Sequence, residues 1–348
     1  PDPTVPYGGG NISIHYLVQK FLNISSDFTV TYELEENIDV YLLVDVNKGR
    51  LFKKYGIEDI VFHKQNVNPN SKIFARINDC DITRKVTNLN SREQKIVKYH
   101  NNIDYFIFNN NFIKNYYIEK FKNLNFDNHC VIINGCDQNV FKQRTLYFQD
   151  RNKIVTHHWS PNLNKGYPTY LKLWKHCEKS DNLDFVFIGK YVPDMFKHVN
   201  INGPYVGKEL VNALDECQIY ITDSKYDSCP NHVIEAISCG LPILYSNVDG
   251  GAKELCEMTE LPVGEIYNNF DELIVKIHKI LNNYQYYIDN INKCKHIFNV
   301  DICRQKYYDY ILNNVVEYNK TNVNLNNTCL KLENTFKYNN LFFNDSII

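Results

Sequence analysis

The stretch from Thr222 to Gly251, TDSKYDSCPNHVIEAISCGLPILYSNVDGG, carries more structural information than any other in the chain. Just upstream, Ile219-Tyr220-Ile221 is an apolar run suited to a strand. A polar turn holding Asp227, Pro230 and Asn231 follows, and then a helix-like segment carrying Val233, Ile234 and Ile237. Gly240 sits where a helix C-terminal glycine belongs, and Pro242 follows where a helix can no longer continue. Leu241 to Tyr245 reads as the next strand, closed by a turn at Gly250-Gly251. The order is a βαβ unit with a polar site at the carboxyl end of its first strand, the position where open α/β sheets bind ligands.

The residue types at that position specify a chemistry. A helix starting near Pro230-Asn231 presents backbone N–H groups and the positive end of its dipole, which together suit a phosphate. Asn231 and Glu235 are four apart and share a helix face, so Glu235 lies one turn below the anion site. Asp227 precedes the helix. Carboxylates beside an anion site do little for the anion, but they accept hydrogen bonds from sugar and ribose hydroxyls attached to it.

Asp227, seven intervening residues, Glu235, and then Ala236-x-x-x-Gly240-x-Pro242 resembles the nucleotide-sugar signature of retaining glycosyltransferases of family 4. Most members carry Glu where this chain has Asp227. The resemblance implies an α/β chain of GT-B fold, with two Rossmann-like parallel-sheet domains facing an interdomain cleft. On that pattern residues 1–145 form an N-terminal acceptor-side domain, 146–300 a C-terminal nucleotide-sugar domain, and 301–348 a helix crossing back to the first domain plus a tail. An ordinary βαβ crossover with a surface Asp and Glu is the plain alternative for the motif taken alone.

The 348 residues suffice for two domains with substantial cores, and 44% hydrophobic with 22% charged residues is a globular composition. A formal net charge of −2, with no polybasic run, gives no electrostatic footing for nucleic acid. No apolar run approaches the ~20 residues that span a bilayer, and no signal-peptide pattern is present. The 11 cysteines are scattered without metal-like spacing. Reduced, buried thiols in a cytoplasmic protein fit them better than a disulfide framework, with Cys217 and Cys239 at core-facing positions.

Gly8, Gly9 and Gly10 open a helix with Ile14, Leu17, Val18, Phe21 and Leu22 on one stripe. A glycine loop of this kind normally follows a strand, so a first strand is expected to precede the numbering. The resemblance places this loop beside the donor phosphates and sugar, with Gly9, Gly10 and Asn11 as donor contacts and Asn11 also as a cap. Strands are predicted at Thr29–Tyr32, Val40–Val44, Lys72–Ile77, Tyr105–Phe108 and Cys130–Ile133. Asn134-Gly135-Cys136-Asp137 with Phe141 resembles the segment at the domain junction of the family.

Lys72–Ile77 ends in Asn78-Asp79-Cys80-Asp81. A D-x-D triplet is the metal-binding hallmark of the other large glycosyltransferase fold, GT-A, but the surrounding sequence does not follow that fold. On the family pattern Arg76, Asn78 and Asp79 instead point into the active site, the usual His being absent. In the second half, Lys153–Thr156 is a strand ending in His157-His158-Trp159, followed by Asn164-Lys165-Gly166 and an amphipathic helix. The family's Lys in this loop grips the donor diphosphate. Lys165 takes that role here; the commonly paired Arg is absent, and His158 or Trp159 lies near its place. His157 and His158 lack further partners at zinc-ligand spacing, which makes them structural or supporting residues.

Phe185 to Lys190 is the next strand and turn, and Gly207–Cys217 the next helix. The family holds the nucleotide base around these segments, making Gly189, Lys190 and Tyr205 base or phosphate contacts. After Glu265 the pattern turns helical, with a final helix near Asp301–Tyr318 and a loosely packed tail beyond about 320. The function implied is transfer of a hexose, with retention, from a UDP- or GDP-sugar to a hydroxyl of a glycan, lipid or protein acceptor. Asp227, Lys165, Asp79 and Asn78 are the catalytic candidates. Asn231, His232, Val233 and Glu235 complete the donor-binding set. No cofactor or metal is expected, since the helix dipole and Lys165 replace one. Peripheral membrane contact stays open. A sugar-nucleotide epimerase or a binding module without turnover are the competing functions.

Overall fold

The structure, a computed structural model, describes Leu17 and residues 29–47, 54–84, 91–142, 152–190, 192–196, 199–322 and 341–343. The glycine loop with Gly9, Gly10 and Asn11 lies outside the described residues, as do most of the helix expected after it and Cys329.

Two six-stranded sheets organise the molecule, and every strand pairing in both is parallel. The first contains β1 (Val30–Thr31), β2 (Val40–Leu43), β3 (Lys72–Ile77), β4 (Tyr105–Phe108) and β5 (His129–Val131), joined by β12 (Leu341–Phe343). Between these strands run α1 (Ile57–Asn66), α2 (Asp81–Arg84), α3 (Ser91–Tyr99) and α4 (Asn111–Lys120). The strand order is β1-β12-β2-β3-β4-β5. The stretch past residue 320, read as a loose tail, thus contributes a strand: the apolar run Leu341-Phe342-Phe343 enters between β1 and β2 and pairs with both.

The second sheet holds β6 (Asn152–His158), β7 (Leu183–Gly189), β8 (Ile201–Asn202), β9 (Ile219–Thr222), β10 (Ile243–Ser246) and β11 (Gly264–Tyr267). Its helices are α5 (Tyr167–Cys177), α6 (Gly207–Asp215), α7 (Asn231–Ser238), α8 (Gly251–Glu257), α9 (Phe270–Asn282) and α10 (Tyr284–Cys294). The order β11-β10-β9-β6-β7-β8 reverses direction between β6 and β9. A doubly wound sheet binds ligands at that reversal, outside the carboxyl ends of the strands.

Local sequence accounts for α7 in full. Val233, Ile234, Ala236 and Ile237 are wholly buried, and each large apolar side chain contributes about 1.5–3 kcal/mol by leaving water. Gly240 has φ +87, the Leu241 N–H donates to the Ala236 carbonyl (3.0 Å), and the Gly240 N–H donates to the Ile237 carbonyl (2.9 Å). That pair of bonds is the Schellman ending which the glycine predicted.

The two halves are joined by two adjacent strands of chain. Asn134–Phe141 leads out of the first sheet, and Phe298–Val300 leads back into it through α11 (Val300–Asn322). The Cys136 N–H donates to the Phe298 carbonyl and the Val300 N–H to the Cys136 carbonyl, both at 2.9 Å. A Cβ on Gly135 would lie 2.6 Å from Val300 Cα, so the two crossings touch only because residue 135 has no side chain. Past this junction α11 lays Cys303, Tyr307, Ile311 and Val315 against Val40, Leu42, Phe74 and Ile107 of the first sheet. Among the described residues all ten cysteines are free, Cys217 and Cys239 buried among them. Among those residues no helix is long and apolar enough to cross a membrane.

Candidate active site

The reversal between β6 and β9 gathers most of the expected donor residues. The loop from β9 to α7 carries Asp227, and the 3-10 turn Leu163–Lys165 brings Lys165 to it, Nζ pairing with Asp227 Oδ2. Several fixtures hold this geometry. Gly166 has φ +93, and a Cβ there would fall 2.5 Å from Asp223 Cβ. Asp223 accepts from Thr169 Oγ1 (2.7 Å) and from the Tyr267 hydroxyl (3.2 Å). The loop backbone is tied down by Lys225 N–H to the Asn164 carbonyl (2.8 Å), Tyr226 N–H to Asp249 (3.0 Å), and Gly251 N–H to Asp227 (2.5 Å). Tyr226 takes the left-handed conformation, φ 57, in this loop.

Asp227 is an ionised, partly buried carboxylate. Burial opposes its charge, but Lys165 and His232 outweigh that and hold the carboxyl well below its usual range. Directly after it, α7 starts at Asn231 with Pro230 as its cap and no side chain capping the first turn. Asn231 Oδ1 accepts from the Asn134 amide (2.8 Å), and Val233 is wholly buried, so its part in any ligand contact is through the backbone. Glu235 lies one turn down α7, where His157 Nε2 is 2.9 Å from its Oε2.

Three residues stand differently from expectation. The ring of His158, placed near a diphosphate by the sequence, turns into the interior. Its Nε2 meets the Tyr170 hydroxyl (3.0 Å) and Thr156 Oγ1 (3.3 Å), and it stacks on Tyr170. Burial, reinforced by His232, Lys165 and His157, keeps it neutral, well below the usual histidine range. It supports the site from beneath. His232 likewise points its ring down, toward Tyr220 Oη (3.1 Å), Ser224 Oγ (3.5 Å) and Asp227 Oδ2 (3.9 Å). Asp79 is already engaged: Arg92 Nη1 holds it at 2.6 Å, Thr83 donates to it, and Arg92 Nη2 reaches on to Asp45 at 2.6 Å. Asn78, half-buried, ends β3 beside it.

Gly189 and Lys190 end β7 next to His158. The Lys190 N–H donates to the His158 carbonyl (3.2 Å), and a Cβ on Gly189 would strike that oxygen at 2.3 Å. Tyr205 is half-buried and packs on the core beneath α6 and α7. Asp81 lies 3.7 Å from Lys120, and no three metal-ligating side chains come together among the described residues.

Contacts from the first half reach several of the donor-side elements, and no motif in the sequence announces them. The Asn134 amide donates to Asn231 and to the Cys229 carbonyl (3.2 Å), while its Oδ1 accepts from Arg76 Nη2 (2.9 Å). The side chains of Asn162 and Asn164, flanking the Lys165 turn, donate to the Thr83 carbonyl at 3.3 and 3.2 Å. Glu254 of α8 takes the Asn111 N–H (2.8 Å), the Asn111 amide (2.9 Å) and the Phe112 N–H (2.9 Å) at the start of α4. Phe112 in turn faces Tyr226, ring centroids 6.3 Å apart and 24° from parallel.

Comparisons with known proteins agree with this architecture. Residues 137–296, the span that holds the second sheet, match the family model described as Glycosyl transferases group 1. The fold is that of GT-B glycosyltransferases. A glycosyltransferase from Rickettsia africae superposes with TM-score 0.58 at 16% identity, covering 92% of this chain and 84% of its own. The pneumococcal O-GlcNAc transferase GtfA, in complex with UDP and GlcNAc, gives 0.57 at 14%, covering 90% and 60%. S. aureus TarM, in a complex containing UDP, gives 0.56 at 16%, covering 72% and 53%. This chain therefore spans about half the length of TarM. A search of curated proteins gives no match.

Proposed function

We propose that this chain is a retaining, metal-independent glycosyltransferase of family 4 type, acting in the cytoplasm. It would move a hexose from a UDP- or GDP-sugar to a hydroxyl of a glycan, lipid or protein acceptor, with residues 146–300 binding the donor and residues 1–145 the acceptor. The observation that carries this reading is the Lys165–Asp227 pair beside the uncapped start of α7, with Glu235 one turn below. A dipole end and a lysine neutralise a departing diphosphate, and fixed groups in a dry site do so without reorganising. Asp227 orients sugar hydroxyls, and Glu235, steadied by His157, takes the ribose diol. Two of the similar structures hold UDP, which favours a uridine donor.

Retention follows from substitution on one face of the sugar. The acceptor oxygen bonds to the anomeric carbon as the bond to phosphate breaks, and the leaving phosphate oxygen takes the acceptor's proton. A separate general base is then unnecessary, and Asp79, bound to Arg92, has a positioning role. Closure of the two halves excludes water that would otherwise hydrolyse the donor.

The test is a thermal-shift panel of UDP, GDP, ADP and dTDP and their sugars, with and without EDTA. A ligand at ~100-fold its dissociation constant adds about 2.7 kcal/mol. One nucleotide class should stabilise the protein equally in EDTA, and Lys165→Ala should remove the shift. Stabilisation only with a divalent ion would overturn metal independence, and no shift with any nucleotide would overturn the donor site. Binding without sugar transfer or release would leave a binding module, and loss of retention an epimerase-like enzyme.

A further inference from the structure

Two arginines meet the carboxyl end of β3, and their surroundings differ. Arg92, from α3, is held between two carboxylates, Asp45 and Asp79, each at 2.6 Å. Arg76, the last residue but one of β3, has neither. It pairs in register with Ile107 of β4, on the sheet face that α11 covers. Its Nε donates to the Tyr307 hydroxyl (3.0 Å) and its Nη2 to Asn134 Oδ1 (2.9 Å), both neutral partners. Its Nη1 is buried and has no hydrogen-bond partner. Arg76 is only 5% exposed, and among the described residues no carboxylate pairs with it. A guanidinium does not lose its proton in a protein, and a buried charge is ordinarily paired. Arg76 therefore calls for an anion that the chain itself does not provide.

The place of that unpaired charge says which anion. Asn134 accepts from Arg76, and its amide donates in turn to the Cys229 carbonyl (3.2 Å) and to Asn231 Oδ1 (2.8 Å). Its backbone N–H also reaches Cys229 Sγ at 3.3 Å. Cys229 and Asn231 flank Pro230, the cap of α7, whose first turn has no side chain capping it. Arg76 is thus two hydrogen bonds from the first residue of α7. The helix dipole, Lys165 and Arg76 gather positive potential around one loop. The loop's own carboxylate, Asp227, is already committed to Lys165.

We propose that Arg76 is the second cation of the donor site, a positioning residue that acts through Asn134 and suits the first turn of α7 to two phosphates rather than one. The inference rests on the donor-site reading above. The ligand meets the N–H groups of α7, and Arg76 adds its charge from across the Asn134 bridge, where buried surroundings screen it less than water would. Each further negative charge on the ligand gains from it, so its contribution grows from nucleoside monophosphate to diphosphate. The same charge meets the negative charge that builds on the diphosphate as it leaves. Because Arg76 belongs to β3, both halves read the diphosphate, and the site is complete only where Asn134 meets Asn231.

The experiment is calorimetric titration of the whole chain, at one pH and one ionic strength, with UMP and UDP, GMP and GDP, AMP and ADP, and dTMP and dTDP. The wild-type chain should bind the diphosphate of one base more tightly than its monophosphate. Arg76→Gln, which removes the charge, should shrink that preference by about tenfold. Arg76→Lys, which keeps the charge, should hold the preference within about threefold of wild type. Asn134→Asp gives Arg76 the carboxylate it lacks, with little change of shape, and should shrink the preference as the Gln variant does. A substitution that merely loosens the loop weakens monophosphate and diphosphate alike. That result in Arg76→Gln or Asn134→Asp, whichever folds by its melting curve, would overturn the role of Arg76 and leave the donor site standing. A Lys variant that loses the preference as fully as the Gln variant would do the same. A wild-type chain that binds monophosphate and diphosphate equally would overturn the role without any variant. No binding of any of these nucleotides would overturn the donor site and the part of Arg76 with it.

Discussion

Neutral histidines buried under a charged site make the molecule sensitive to acid, and the sign follows from His232 and His158. Both lie below the ordinary histidine value in the folded state, His232 at about 4, chiefly through burial. The unfolded chain therefore takes up protons first as pH falls below about 6.5, and stability is full above that value and lost beneath it. For His232 the loss between pH 7 and pH 5 is roughly 2 kcal/mol, and His158 adds to it. Urea unfolding at the two pH values should show that fall, and the His232→Gln variant should show less of it. Equal pH dependence in the variant would mean that His232 is not the group responsible. What the sequence revealed at this scale was the pair of charges: Lys165 and Asp227 lie in recognisable motifs. The contacts among Glu235, His157, Tyr220 and His232 were not legible, because the last three sit in three elements up to 75 positions apart and no motif spans them. His158 was misplaced for a related reason, since a strand's alternation does not say which of two adjacent histidines faces the ligand.

Elements with local punctuation were read well, and those stabilised by distant partners were not. α7 announces itself by its apolar side, Gly240 and Pro242, and β3 and β4 by short, largely apolar runs at the bounds observed. β11 was not predicted as a strand, because one of its two inward residues is Glu265 rather than an apolar side chain. Glu265 is acceptable there only because Lys276 (2.8 Å), Lys279 (2.6 Å) and Tyr287 (2.6 Å) reach it from α9 and α10. Two glycines around α7 separate stability from binding. Gly240→Ala places a side chain at φ +87, a left-handed position that costs about 1–2 kcal/mol, and it lies at the helix end away from Asp227. Gly251→Ala puts a Cβ 2.3 Å from the Ser228 carbonyl, inside the loop that carries Asp227. The first should lower the unfolding midpoint and leave nucleotide affinity within about twofold, a few tenths of a kcal/mol. The second should weaken the nucleotide by about tenfold or more. Similar affinity losses in both variants, measured beside their melting curves, would show that the loop is not positioned by the Gly251 contact.

At the scale of the whole molecule, the junction at Gly135 joins the halves, and Glu254 bridges them a second time. Asn134-Gly135-Cys136-Asp137 marked the junction in the sequence. Nothing marked Glu254, because an acidic residue on the open face of a helix is ordinary until α4 is known to point its first N–H groups at it. A carboxylate accepting two backbone N–H groups and an amide at a helix start gains both hydrogen bonds and dipole, together about 1–3 kcal/mol across a partly exposed contact. That energy favours the arrangement in which Phe112 faces Tyr226 and the first half touches the Lys165 turn. A nucleotide that binds this arrangement pays for whatever fraction of molecules is not already in it. Removing the latch with Glu254→Ala should therefore lower nucleotide affinity by about tenfold, although the Glu254 carboxylate is bonded to the start of α4. It should also enlarge the radius of gyration of the free protein in small-angle scattering, with the nucleotide restoring the wild-type value. Glu254→Gln, which keeps one acceptor oxygen but not the charge, should fall between. An unchanged affinity together with an unchanged radius would show that the junction and the Asn134 and Asn162 contacts set the separation by themselves, and that Glu254 merely caps α4.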